Sequence, residues 1–180
     1  LTGVASGDRP SIGAWTTYAL GSVNENLPTF MAMNIHSDGM QFPQRAGWST
    51  GFLPARHQGV VINPATGIKF TDRPAGTTQQ RRTQQLRLLE FLNENHRKNK
   101  LNADALQARI KSYEMTANMQ VAAPELFDWK TKESEAIRML YGIEQENSHE
   151  TGVACLMGRR MVERGVRFVQ IRVGGWDAHG

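Results

Sequence analysis

Residues 167–180 read RFVQIRVGGWDAHG, and this stretch decides how the fold is interpreted. An apolar, β-favouring run is stopped by two glycines, and Asp177 and His179 then follow two residues apart. The pattern predicts a central strand over residues 167–173 that delivers a carboxylate and an imidazole to its C-terminal edge. In open α/β sheets, ligands and chemistry usually lie at that edge.

Asp177 and His179 are therefore candidate ligands of one divalent metal ion. Residues i and i+2 of an extended backbone share a face, so the two side chains can converge. Carboxylate oxygen and imidazole nitrogen suit zinc, manganese or iron. A catalytic zinc site needs about three protein ligands, so the remaining ligands must come from elsewhere. The alternative interpretation is a solvated turn that follows a buried strand.

An amphipathic helix is predicted over residues 148–164, directly before this strand, and Gly165 stops it. Four of its apolar residues are predicted to face inward: Val153, Leu156, Met157 and Met161. Cys155 lies in the same apolar pattern and is predicted to be a small core residue. A helix, a glycine stop and an apolar strand together indicate an αβ unit of a largely parallel sheet.

Two further elements are predicted near the start of the chain. Ser11 is a suitable cap for a short amphipathic helix that a glycine ends. Ile12, Trp15 and Ala19 share the apolar face of this helix. The run TFMAMNI, residues 29–35, fits a buried strand.

Residues 40–75 are predicted to be a long irregular loop region, because proline and glycine punctuate them and periodicity fails. Within the region, GWSTGFLPARHQG suits a short helix and HQGVVIN a short strand. Arg56 and His57 are candidates for binding an anionic group of a substrate, with a plain surface role as the alternative. His36 and Asp38 repeat the carboxylate and imidazole spacing in reverse, although a polar loop supplies such pairs by chance.

A helical hairpin is predicted over residues 77–122, because leucines recur at helical spacing in its first helix. Pro124 is expected just past the end of its second helix. A break over residues 128–132 and a short helix over residues 133–141 complete the prediction for this part of the chain.

Length and composition limit the class of protein. A chain of 180 residues with 39% hydrophobic content can bury a core, and it holds no stretch of 18 apolar residues that would span a membrane. The net charge is +4, but the basic residues are spread along the chain, so no nucleic-acid partner is expected. The GxxxxGK[ST], GxGxxG and GxSxG motifs do not occur, which disfavours nucleotide hydrolases and serine esterases of those types.

Four blocks of sequence together resemble a known family. They are RPSIGAWTTYALGSVNENLPTF, GFLPARHQG, APELFD and RRMVERGVRFVQIRVGGWDAH, and they span nearly the whole chain in this order. They resemble the sulfatase-like family called domain of unknown function 1501, a branch of the alkaline phosphatase superfamily. With Leu1 as its first residue and a candidate site at its end, the chain is expected to be a single partial domain over residues 1–180, the middle of a longer protein.

The resemblance implies an α/β fold, an alkaline-phosphatase-like sandwich that is incomplete in this chain. It also implies one or two divalent metal ions, zinc, calcium or manganese, at the strand ends, where a metal-activated hydroxyl attacks a sulfate or phosphate ester. Asp177 and His179 match the family's GWDxH block and are implied metal ligands. Arg9 matches an arginine of the first block, which could contact substrate or fix the loop. The nucleophile and the remaining ligands are expected outside this chain, which by itself is expected to be inactive.

The resemblance further implies a small-molecule or glycan ester substrate and an extracytoplasmic location, periplasmic or exported. The competing hypothesis is a non-catalytic relative that keeps the fold and binds a sulfated or phosphorylated glycan or a protein partner.

Overall fold

The computed structural model describes residues 9–24, 26–35, 47–64, 76, 78–98, 110–111, 114–115, 117–119 and 124–173. The elements in chain order are α1 (Ile12–Leu20), β1 (Phe30–Ile35), a 3-10 helix (Ala55–His57), β2 (Val60–Ile62), α2 (Gln79–Lys98), α3 (Trp129–Lys132), α4 (Glu135–Leu140), α5 (His149–Glu163) and β3 (Phe168–Val173). The fold is mixed α/β. No helix among the described residues is both long enough and apolar enough to cross a membrane.

The described strands form a small open parallel sheet in the order β2-β1-β3. The predicted strand and its parallel pairing are confirmed, but its predicted central position is wrong for this sheet. β1 is the central strand and β3 lies at an edge. Burial agrees with this order, because residues 30–33 of β1 are all buried whereas Gln170 is the one buried residue of β3. A central strand has neighbours on both sides, and an edge strand has one free side.

One face of the sheet packs against α5 and forms the core. Met33 of β1 and Ile171 of β3 are in register, so their side chains point to the same side. Gly158 lets α5 approach this face closely, because a Cβ atom at this position would lie 3.1 Å from the Ile171 Cδ1. The predicted inward residues of α5 are buried: Val153, Leu156, Met157 and Met161. Cys155 is exposed, so its predicted core position is wrong.

Helix α1 lies at the amino ends of the strands. Ser11 caps it as predicted and donates its backbone N–H to Ser49 in the loop before β2. At the other end, Asn24 donates a side-chain hydrogen bond to the carbonyl of Arg164, just before β3. The buried residues of α1 are Gly13 and Ala14.

The predicted apolar face of α1 is therefore not its buried face. Ile12 and Trp15 are exposed, and Ala19 is exposed with them. The Phe30 side chain explains the difference, since a Cβ atom on Gly13 would lie 2.5 Å from its ring. Only the small residues of α1 fit against this ring, so the large ones turn outward.

Residues 47–64 are the described part of the predicted loop region over residues 40–75. They contain the 3-10 helix and β2, joined to irregular segments, and the backbone N–H of Gly59 donates to the Trp48 carbonyl at 3.1 Å. Residues 40–46 and 65–75 lie outside the described residues.

The first helix of the predicted hairpin is confirmed as α2, and the described residues from 110 to 119 are helical. Four apolar side chains of α2 are exposed, those of Leu88, Leu89, Phe91 and Leu92, whereas Leu86 is half-buried. Residues 124–127 are helical. Residues 120–123, where the second helix of the hairpin is predicted to end before Pro124, lie outside the described residues.

Residues 128–141 depart from the prediction at one point. A break is predicted over residues 128–132, but only Asp128 is non-helical, and residues 129–132 form α3. Ser134 caps α4 by accepting a hydrogen bond from the Ile137 N–H, and Gly142 with φ 65° follows its end. The predicted short helix is thereby confirmed, with slightly narrower bounds.

Candidate functional site

The carboxyl ends of β1 and β3 meet at one edge of the sheet. Ile35 and Val173, the last residues of the two strands, are partners in the parallel register. The chain leaving each strand therefore starts from neighbouring points on this edge. Asp177 follows Val173 by four residues, and His36 follows Ile35 directly. The structure thus describes the edge from which both predicted carboxylate and imidazole pairs leave.

The four predicted residues at this edge lie outside the described residues. They are Asp177, His179, His36 and Asp38. Their role as metal ligands stays a prediction.

The described end of the sheet is polar on the face opposite the core. Asn34 of β1 is exposed and pairs in register with Arg172 of β3. One row closer to the amino ends, Gln170 is buried, and its Nε2 has no hydrogen-bond partner within the described part of the chain. At the amino end of this face, the rings of Phe30 and Phe168 meet edge to face, with their centroids 5.3 Å apart. At the carboxyl end, the same face carries amide and guanidinium groups.

These polar groups do not form a metal site by themselves. An Arg guanidinium has no lone pair to donate, and amide oxygens suit hard cations only as part of a larger oxygen shell. Within the ranges that the structure describes, no group of three or more His, Cys, Asp or Glu residues could hold a metal ion. A metal at this edge would need ligands from beyond the described strand ends, where the sequence has Asp177 and His179 after β3, and His36 and Asp38 after β1.

Arg56 and His57, the predicted anion contacts, are brought together in the 3-10 helix before β2. The Arg56 Nε donates to the His57 Nε2 at 3.1 Å. His57 is only 8% exposed, and its Nδ1 has no partner among the described groups. Burial lowers the pKa of His57 below 6.5, and the positive charge of Arg56 lowers it further. His57 is therefore a neutral imidazole near neutral pH, and Arg56 is the cation that remains exposed.

Three aromatic rings extend this pair across the surface of α1. The edge of the Tyr18 ring meets the His57 ring at a centroid distance of 5.4 Å. Trp15 lies 5.8 Å from Tyr18, and Phe52 lies 5.9 Å from Trp15. We call Phe52, Trp15, Tyr18 and His57 the aromatic row. The sequence does not indicate this row, because the helical spacing of Trp15 predicts a core position and Phe52 lies in an irregular segment.

Arg9, the third predicted contact, is exposed two residues before the Ser11 cap. Within the described part of the chain it makes no hydrogen bond or ion pair. The structure does not bring it into contact with Arg56 or His57.

A shallow groove lies beside the start of α5, and the sequence did not point to it. Its walls include Lys130, Arg138 and Glu144, and Arg138 pairs with Glu144 at 3.3 Å. His149 hydrogen-bonds through Nδ1 to the carbonyl of Ile143 at 2.6 Å. Charges of both signs line the groove, so its electrostatics select neither anions nor cations.

The described chain is thus an α/β protein whose open parallel sheet exposes a polar carboxyl edge. A family model described as "Protein of unknown function (DUF1501)" matches residues 1–180, so the chain belongs to that family. No curated protein matches the chain, and no solved structure matches it.

Proposed function

We propose that the protein is a metal-dependent hydrolase of sulfate or phosphate esters, with its site at the carboxyl edge of β1 and β3. The proposal rests on the resemblance to a sulfatase-like branch of the alkaline phosphatase superfamily, including its sandwich fold. One observation of the structure supports it above others: Ile35 and Val173 end two adjacent parallel strands in register. Ligands in open α/β sheets bind outside the carboxyl ends of the strands.

Asp177 and His179 would hold the metal, because a carboxylate and an imidazole are suitable ligands for a divalent ion such as zinc or manganese. When bound, such an ion activates a hydroxyl nucleophile and neutralises charge on the attacking and leaving oxygens. Calcium is the third candidate, by resemblance. The nucleophile is not assigned to a residue of this chain.

Arg172 would assist by attracting the anionic ester to this edge. Its guanidinium is on the strand that leads to Asp177 and in register with the exposed Asn34. A guanidinium presents several donors in a plane that matches the oxygens of sulfate and phosphate. A small-molecule or glycan ester and an extracytoplasmic location belong to the same proposal.

The experiment replaces each proposed ligand by alanine in the full-length protein. Asp177→Ala and His179→Ala should lose bound metal, measured by mass spectrometry, and lose turnover of 4-nitrophenyl sulfate or 4-nitrophenyl phosphate. The melting temperature of the metal-free form should change little, because ligands that face a site contribute to stability mainly through the metal. His149→Ala, which removes an exposed histidine elsewhere, is the matched control.

Retention of stoichiometric metal and turnover by both variants would show that these residues form a solvated turn. Metal binding by the unaltered protein without turnover of either ester would favour the non-catalytic relative, which binds a sulfated or phosphorylated glycan or a protein partner.

A further inference from the structure

The aromatic row is an exposed surface made largely of ring faces and edges. Trp15 is 44% exposed, Tyr18 54% and Phe52 69%. The rings meet edge to face, with interplanar angles of 85° between Trp15 and Tyr18 and 74° between Trp15 and Phe52. This arrangement fixes the rings relative to one another and leaves them open to solvent. Contiguous exposed aromatic surface on a folded protein commonly marks a binding site.

His57 anchors the buried end of the row. Its ring contacts Tyr18, and its Nε2 accepts a hydrogen bond from Arg56, so the neutral ring carries its proton on Nδ1. That N–H is a buried donor with no partner among the described groups. An unpaired buried donor costs free energy unless an acceptor reaches it, directly or through water.

Among the described residues, the segments that build this surface carry positive charge and no negative charge. Residues 9–24 and 47–64, which build this surface, contain Arg9 and Arg56 and not one Asp or Glu. Arg56 uses its Nε on His57, and its two terminal nitrogens have no partner within the described part of the chain. A guanidinium with both terminal nitrogens open suits bidentate binding of a carboxylate or sulfate. The ligand of this surface should therefore be an anion.

We propose that the aromatic row and Arg56 form a binding surface for an acidic carbohydrate chain, one that carries uronate or sulfate groups. Sugar rings offer flat faces of C–H groups, which pack on the negatively charged faces of aromatic rings. Neighbouring rings of the row are nearly perpendicular, so each sugar unit would pack on one ring rather than on a continuous flat platform. An acidic peptide would satisfy Arg56 but has no sugar ring whose C–H face could pack on an individual aromatic ring.

This surface is separate from the proposed hydrolase edge. Ser11 donates its backbone N–H to Ser49 in the loop before β2, and Asn24 donates to the carbonyl of Arg164 in the turn between α5 and β3. Gly13 meets the ring of Phe30, the first residue of β1, so α1 lies near the amino ends of the strands. The proposed metal ligands follow the carboxyl end of β3. Binding at the row thus needs neither metal nor hydrolysis.

The test is isothermal titration with defined hexasaccharides, in the presence of a chelator so that failure of the hydrolase proposal leaves the result unaffected. The probes are a chondroitin sulfate, a hyaluronan and a neutral chitin hexasaccharide, with hexaglutamate as an acidic peptide of similar length. We expect saturable binding of at least one acidic hexasaccharide. Comparing the chondroitin sulfate with the hyaluronan shows whether the surface binds sulfate or carboxylate groups. The chitin hexasaccharide and hexaglutamate should bind at least tenfold more weakly, a factor of ten being about 1.4 kcal/mol.

Two ring variants and one cation variant identify the surface. Trp15→Ala and Phe52→Ala should each weaken binding on the order of tenfold, as expected for truncated aromatic contacts. Arg56→Ala should weaken the acidic probes and leave the neutral one unchanged. Matched controls are Leu140→Ala, an exposed apolar residue outside the row, and Arg87→Ala, an exposed guanidinium on α2.

Circular dichroism checks that each variant is folded. If Trp15→Ala does not fold, Phe52→Ala alone provides the test, because Phe52 is the most exposed of the rings. The proposal is overturned if no acidic hexasaccharide binds. It is also overturned if hexaglutamate binds as tightly, which would indicate a surface for acidic peptides, or if folded row variants bind like the controls.

Discussion

The buried guanidinium of Arg160 in α5 donates a hydrogen bond to the carboxylate of Glu133, 27 residues earlier in the chain. The same side chain donates to the carbonyls of Leu126, at 2.9 Å, and Glu125, at 2.7 Å. Arg159 donates to the second carboxylate oxygen of Glu133, also at 2.9 Å. One carboxylate and two guanidinium groups therefore hold α5 against the segment that precedes it.

Glu133→Ala should lower the free energy of unfolding by about 3 kcal/mol, because removing one partner of a buried pair leaves the other charge uncompensated. Urea denaturation near neutral pH measures the change. Glu144→Ala is the control, since Glu144 is exposed and pairs with Arg138 at the surface; its loss should be below about 1 kcal/mol. Equal losses in the two variants would show that the Arg160 contact contributes no more than a surface pair.

The imidazole of His57 should titrate below its ordinary pKa of 6.5, because burial and the neighbouring Arg56 disfavour its charged form. The neutral form then contributes stability that is fully present above 6.5 and is lost as the pH falls through the lower pKa of the folded state. Proton NMR of the imidazole ring follows the titration. Arg56→Gln should raise the pKa without restoring it fully, because burial remains. Titration of His57 at or above 6.5 would contradict the buried, unpaired position.

Gly13→Ala should destabilise the protein by about 1–3 kcal/mol, the usual cost of overpacking. The added Cβ would lie 2.5 Å from the Phe30 ring, and this ring is buried. Inside a helix, alanine is more favourable than glycine by roughly 1 kcal/mol. The clash with Phe30 must therefore cost more than this gain if the variant is to be destabilised. Thermal melts of Gly13→Ala and of the double variant with Phe30→Leu test the cause, since a smaller side chain should recover part of the loss. A stabilised single variant would contradict the close approach of α1.

Met157→Ala should cost about 2–5 kcal/mol, because Met157 is fully buried between α5 and the sheet and its truncation leaves a cavity. Val162→Ala, on the exposed side of the same helix, should stay within about 0.5 kcal/mol. Chemical denaturation of both variants gives the comparison. If the two losses are similar, α5 does not pack on the sheet through this face.

Local patterns predicted most of the elements because their signals lie within a few residues of sequence. Gly165, with φ 89°, ends α5 where the glycine stop was expected, and β3 begins within a few residues. The Ser11 cap was likewise predictable, because a serine before a helical run satisfies an N–H that the helix cannot. The helix over residues 133–141 was predicted for similar reasons.

The candidate sites were only partly predictable. The residue type of Arg56 predicts an anion contact, but the Tyr18 ring that meets the neighbouring His57 belongs to α1, far earlier in the chain. The helical spacing of Ile12, Trp15 and Ala19 predicts an inward position for Trp15, whereas the structure exposes it. The proposed metal ligands remain predictions from sequence, since the structure describes only the strand ends that lead to them.

The sequence by itself determined the type and approximate position of most helices and strands, because caps, glycine stops and periodicity act over one or two turns of chain. Only the tertiary structure decided that β1 is the central strand, that Gly13 rather than Trp15 faces Phe30, and that Cys155 is exposed. Each of these depends on which distant side chain fills the neighbouring space. Periodicity marks an apolar face, but close packing selects the side chains whose shapes fit the partner.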